Sequence, residues 1–183
     1  MKKIFVIAIA SLMAFSAGAQ KIGRVNFNEL VMLMPEMDAA RETIAASQKE
    51  AEETYAAMVE EYQGKVTQYQ QKNASWTAAI KESKEKELMD IQNRIQEFQQ
   101  NISQELQQQQ SQLVAPINEK ANKAVQELAK EKGIDVLMDA SQAIYFSDNV
   151  IDLTADARKA LGIPDSRTIE SLQAELSAQA QQQ

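Results

Sequence analysis

Two seams of apolar residues dominate the middle of the chain, with a break between them. The first runs through Met37, Arg41, Ile44, Gln48, Ala51, Tyr55, Met58, Tyr62, Val66 and Tyr69, in steps of three and four with polar members at Arg41 and Gln48. That spacing keeps one face of a helix in register and is heptad-like. The second passes through Leu88, Ile91, Ile95, Phe98 and Ile102 in alternating steps of three and four. It continues through Leu106, Leu113, Ile117, Ala121, Val125 and Leu128, mostly in fours. Successive fours lengthen the local period and relax left-handed supercoiling. Between the seams, Asn73-Ala74-Ser75-Trp76-Thr77 favours a turn and a helix start. Two helices of about 40–50 residues joined by so short a turn lie antiparallel, each arm about 60–75 Å long. The midpoint of Pro35 and Pro116 is residue 75.5, so folding at this turn brings both prolines to one height.

The flanks read differently. Lys21–Phe27 has the composition of a short strand, and Asn28 is placed to cap a short helix ending near Leu33. Proline suits the first turn of a helix, so Pro35 opens the first arm. Gly133, after Lys130 and Lys132, ends the second. Ile134–Met138 reads as a strand, 139–142 as a turn, Ile144–Phe146 as a second strand, and Val150–Ile151 as a brief extended piece. Thr154 is placed to cap a short helix to Leu161, which Gly162 and Pro164 stop. Ser166 opens a last helical stretch carrying Ile169, Leu172 and Leu176 on one face, and residues 179–183 form a frayed tail. Strands at both ends of the chain must meet to pair. The expected fold is therefore mostly α with a small β-containing base: 20–34 and 133–163 form the body, 35–132 a helical hairpin with its tip near 73–77, and 164–183 a C-terminal extension.

Residues 1–19 read as a signal peptide. Lys2 and Lys3 precede the apolar run Ile4–Phe15, and Ala17-Gly18-Ala19 supplies the small-x-small cleavage pattern. The apolar run would reach only about 18 Å, short of a hydrocarbon core of about 30 Å. The expectation is cleavage after Ala19 and a soluble mature protein in the periplasm, without stable membrane insertion. The chain has no cysteine, which excludes a lipid-modified cysteine and disulfides, and no histidine, which removes the commonest general base and metal ligand. Net charge is −7, and loss of Lys2 and Lys3 takes it to −9. Nucleic acid is thus not an expected partner, since phosphate binding needs clustered Lys and Arg.

The arms hold too little apolar residue for a free-standing two-helix core, and residues 92–112 alone contain ten glutamines. One reading is a coiled-coil spacer, since glutamine is an acceptable helix former. The other is a soft, slightly adhesive wall to which methionines add deformable contact. On that reading the client-contact candidates are Met58, Tyr62, Tyr69, Trp76 and Met89, and the hinge candidates are Pro35 and Pro116. Trp76 has two readings, a lid over the turn or a contact point for an unfolded chain. Lys72, Lys81, Lys84 and Lys86 interleave with Glu82, Glu85 and Glu87 as a solvated helix face. Asp135, Asp139, Asp148, Asp152 and Asp156 lack the spacing of a calcium loop and fit local hydrogen bonding. No catalytic residue, cofactor or metal site is expected, so the chain is read as a non-enzyme.

From Lys21 to about Ile163 the chain resembles the Skp (OmpH-like) family of periplasmic chaperones. The residues that carry the resemblance are Lys21-Ile22-Gly23-Arg24-Val25-Asn26, then Leu30, Val31 and Pro35, then Leu113-Val114-Ala115-Pro116-Ile117, then Gly133 through Ala140, and Val150-Ile151-Asp152-Leu153-Thr154. The resemblance implies a homotrimer whose hairpins surround a cavity and capture unfolded outer-membrane proteins without nucleotide. Better-known members are basic, whereas this chain is acidic. An elongated spacer or adaptor of the envelope that binds no client is the alternative.

Overall fold

The computed structural model describes residues 20–181; the expected signal peptide and the last two residues of the expected tail lie outside them. The elements in order are β1 (Ile22–Val25), α1 (Phe27–Leu33), α2 (Pro35–Lys72), a 3-10 turn (Asn73–Ser75) and α3 (Ala78–Glu131). They continue with β2 (Val136–Asp139), a second 3-10 turn (Ala140–Gln142), β3 (Ile151–Asp152), α4 (Thr154–Ala160) and α5 (Ile169–Ala180). A long helical hairpin and a small three-stranded sheet are thus the architecture, as the seams and the flanking strands imply. The chain divides into two compact units. One takes the described residues up to Pro35 with those from Asn118 onward, and the other is Glu36–Ile117.

The first unit is built on the sheet, ordered β2-β1-β3 with both pairings parallel. Ile22 sits opposite Val136 and Val25 opposite Asp139, while Gly23 and Arg24 face Ile151 and Asp152 on the other side. Because β2 and β3 run the same way, the residues between them must carry the chain back across the sheet. That corrects the expectation of a strand at Ile144–Phe146. The segment is part of the return path: Ile144 and Tyr145 stand exposed, and Phe146 lies under the Arg24 guanidinium at 5.3 Å. The 3-10 turn starts the return, with the Asp139 carboxylate accepting from the Ser141 amide and hydroxyl at 2.8 and 2.7 Å.

Local chemistry sets the helix boundaries. Asn26, rather than Asn28, caps α1: its side chain accepts from the Glu29 amide at 3.3 Å and donates to the Glu29 carboxylate at 2.8 Å. Met34, fully buried, takes an extended ψ of 138° because the ring of Pro35 bars the helical conformation before it, so α1 and α2 are separate helices. At the start of α4 the Asp152 carboxylate, not the Thr154 side chain, accepts the free amide of Thr154 at 2.9 Å. Thr168 opens α5 in place of Ser166, through a capping box with Ser171. Gly133 and Gly162, at φ of 63° and 69°, close α3 and α4. In each case the next amide reaches back five residues, Ile134 to the Ala129 carbonyl and Ile163 to the Arg158 carbonyl, both at 2.9 Å.

The core of this unit joins Leu30, Leu33 and Met34 to Leu153, Ala157, Leu161 and Ile163, with Leu172 of α5 buried beside α1. Each large aliphatic side chain buried here stabilises the fold by about 1.5–3 kcal/mol. Ala121, Val125 and Ala129 of α3 are buried as well. Among the acidic residues of the flank, Asp139 and Asp152 bond locally to Ser141 and Thr154, as expected, but three of them also hold partners distant in sequence. Asp135 accepts from the Lys21 amide at 2.8 Å, Asp152 pairs with Arg24 at 3.0 Å, and Asp156 pairs with Lys132 at 2.7 Å. Burial alone would push the Asp152 carboxyl up, but Thr154 and the Arg24 guanidinium outweigh it and hold the group below its ordinary range. No cluster of acidic side chains among the described residues could hold a metal ion.

Two glycine substitutions should move stability in opposite directions. Gly133→Ala puts a side chain at positive φ and should cost about 1–2 kcal/mol. Gly64→Ala, in the exposed interior of α2 with open space around it, should stabilise by about 1 kcal/mol. Urea titration followed by far-ultraviolet circular dichroism checks both signs.

Candidate functional site: the helical hairpin

The hairpin of residues 36–117 is held by side-chain bonds from one helix to the other. Tyr69 donates to Glu85, Lys65 pairs with Glu87, and Arg94 pairs with Glu61 at 3.1 Å. Gln99 donates to the Tyr55 hydroxyl at 3.0 Å and Gln109 to the Ser47 hydroxyl at 2.9 Å. Numbers rise on one helix as they fall on the other, and the midpoints of these pairs all fall between residues 76 and 78. The helices are therefore antiparallel about the predicted turn.

The seams face inward almost as their spacing requires. Arg41, Ile44, Ala51, Tyr55, Met58, Tyr62, Val66 and Tyr69 are all half-buried, as are Leu88, Ile95, Phe98, Ile102, Leu106 and Leu113. Gln48 is exposed, and Ser47 takes the inner position instead. A step of three from Ile44 followed by four to Ala51 fits the heptad as well as the reverse, so spacing alone leaves this choice open. Very few side chains in the hairpin are buried: Met37, Ala40, Ile91 and Ile117. Two helices alone cannot enclose their shared face, and here the cross-links are mostly polar.

The tip is a latch. The Trp76 ring meets the Tyr69 ring edge-on with centroids 5.8 Å apart, and the Thr77 hydroxyl caps α3 by accepting the Ile80 amide at 3.4 Å. The Glu85 carboxylate that takes the Tyr69 hydroxyl raises the tyrosine's pKa. Glu87 joins Lys65 of α2 to Lys84, 2.7 Å away on its own helix, and these two ammonium groups lower its carboxyl from the ordinary 4.5 to about 2. The lysine-rich face is thus partly spent on a cross-helix clamp, which the interleaved charges did not reveal.

Of the residues singled out in the sequence, Tyr69 and Trp76 come together at the tip. Met58 and Tyr62 share the inner seam, and Met89 projects outward, 61% exposed. Pro116 lies inside α3, which runs on through it; lacking an amide hydrogen, it leaves the Gln112 carbonyl without its helical partner. Further along the seam the helices leave a groove of about 560 Å³ lined by Ala51 and Thr54 on α2 and by Phe98, Ile102 and Leu106 on α3. Glu50, Glu105 and three glutamines also line it. Nothing about this groove was legible beforehand except the small size of Ala51 on a seam of larger residues.

One unit is thus a long antiparallel helical hairpin with half-open seams, and the other a small parallel sheet with its own apolar core. The family model described as Outer membrane protein (OmpH-like) matches residues 21–161, and the chain belongs to that family. Membership supports, at the level of the family, a role as a chaperone of outer-membrane proteins. No curated protein matches the chain. No helix among the described residues is long and apolar enough to cross a membrane.

The clamp should give the hairpin an acid limb. The Glu87 carboxyl is held below its unfolded value, so its contribution is complete above about 4.5 and is lost as pH falls toward about 2. Thermal melts of the full chain should weaken across that window, and Glu87→Gln should lower the melting temperature at pH 7 while flattening the acid fall. A melt of the variant as steep in acid as the parent's would place the titration elsewhere.

Proposed function

We propose that the chain is an ATP-independent holding chaperone that sequesters unfolded outer-membrane proteins against its helical arms and prevents their aggregation. The observation that carries this reading is the unfinished core of the hairpin. Its aromatic, methionine and aliphatic seam residues remain half-exposed along both helices and are flanked by glutamines. Such a surface offers many weak contacts of no fixed geometry. A helical wall also presents no free strand edge from which an unfolded β-barrel chain could extend. Family membership supports the same client class. Met58, Tyr62, Tyr69, Trp76 and Met89 are the contacts we assign to the client, and Pro35 and Pro116 the points at which the arms flex.

The location we propose is the periplasm, reached through a cleaved leader at residues 1–19. Self-association, as the homotrimer that the family resemblance implies, is supported by apolar surface on the body. Strand β2 lies at the sheet edge with Val136 and Met138 44% and 40% exposed, and Ile144 and Tyr145 stand clear of the return path. A second chain would cover such residues.

Dilution of a urea-unfolded outer-membrane β-barrel protein into buffer with the full chain and no nucleotide should give suppressed light scattering at a stoichiometric ratio. Aggregation unchanged by the chain would favour the spacer reading. Multi-angle light scattering should give a mass well above 20.4 kDa, falling toward the monomer in a Tyr145→Asp, Ile144→Asp variant.

A further inference from the structure

The hairpin contains two grooves with different electrostatics. Near the tip, a groove of about 450 Å³ includes Glu61 and Glu87, whose cations are already supplied by Arg94, Lys65 and Lys84. The groove of about 560 Å³ at Ala51 has two carboxylates, Glu50 on α2 and Glu105 on α3, and no lysine or arginine in its lining. The residues three and four positions from Glu50 are Ala46, Ser47, Glu53 and Thr54, and those from Glu105 are Asn101, Ile102, Gln108 and Gln109. Neither carboxylate therefore has an intrahelical cation within reach, and no ion pair joins either of them among the described residues.

We propose that this groove is a subsite for a short extended segment of client polypeptide carrying a lysine or arginine next to an apolar residue. The inference rests on the holding function proposed above and names the kind of segment the arm takes. Phe98, Ile102 and Leu106 form an apolar stripe, and the seam opposite them narrows to Ala51, so space is left where larger side chains would otherwise meet. The volume lies in the range of ligand clefts, roughly 300–1,000 Å³. A lysine or arginine lays its aliphatic stem on apolar surface and keeps its charged head at the rim, where both carboxylates stand. An arginine plane can also stack on the Phe98 ring. Glutamine side chains along the wall can donate to and accept from an extended backbone in more than one register. The same two carboxylates repel acidic segments, so the groove selects by charge although its remaining contacts are permissive.

The test uses the full chain and a fluorescein-labelled octapeptide of alternating leucine and arginine, with a leucine–glutamate counterpart, read by fluorescence anisotropy. The arginine peptide should bind, more weakly as salt rises, and the glutamate peptide should not. Glu50→Gln with Glu105→Gln should weaken binding about tenfold. Glu52→Gln with Glu60→Gln, the same charge change on exposed positions outside the groove, should leave it unchanged. Ala51→Leu fills the groove and should abolish binding, and it decides the matter if the glutamine pair loses helical signal. Equal binding of both peptides, an equal loss in the control pair, or full binding by Ala51→Leu would overturn the subsite. The parent chain's suppression of β-barrel aggregation separates the two claims. Its absence sinks the holding function, whereas its presence with affinities indifferent to these variants sinks only the subsite.

Discussion

The pairing of residues 22–25 with residues 136–139 on one side and 151–152 on the other is the constraint from which the rest follows. Strand β1 is central, so the sheet cannot exist until a chain segment more than a hundred residues later returns to it. Everything between must leave the sheet and come back, and a helical hairpin does so with most of its backbone groups paired within its own helices. Gly23 shows how closely the ends meet: a Cβ there would lie 2.8 Å from the Ile134 Cδ1 atom. Arg24 then fastens the return path, pairing with Asp152 and lying over Phe146.

The two units differ in how they are stabilised, and that difference has functional meaning. The sheet-bearing unit has a closed apolar core drawn from α1, α4 and α5. The hairpin is joined across its length by tyrosine hydroxyls, glutamines and ion pairs, with its apolar seam half-covered. Exposed pairs of this kind are each worth little, about 0.2–1 kcal/mol. The hairpin's order thus comes from many small contacts over length, and its seam stays available to other chains. The holding function proposed above would gain from this arrangement, because no single contact would fix the client.

Much of this was legible in the sequence because helical periodicity is a long-range signal. A seam repeating in threes and fours from Met37 to Tyr69 and another from Leu88 to Leu128 cannot be mistaken for strands, and the Asn-Ala-Ser-Trp-Thr break between them sits where the chain turns. Pro35 and Gly133 marked the ends of the arms for steric reasons that hold in any context. The short elements were read less well. Ile144-Tyr145-Phe146 has the composition of a strand, but the parallel sense of β2 and β3 commits that segment to the return path, and strand direction leaves no local trace. The caps moved by two residues, from Asn28 to Asn26 and from Ser166 to Thr168, because several nearby residues can perform the same bond. The Lys65–Glu87–Lys84 clamp and the groove at Ala51 depend on how two helices are set side by side, which periodicity within each does not specify.

The central claim is that the open seam of the hairpin, and not the sheet-bearing unit, receives the unfolded chain. Hydrogen–deuterium exchange of the full protein, alone and with an unfolded outer-membrane β-barrel protein, tests this most directly. The account predicts slowed exchange within residues 36–117 when the client is present, with β1 and β2 unchanged. Unchanged exchange in the hairpin, or protection confined to residues 22–25 and 136–139, would contradict it.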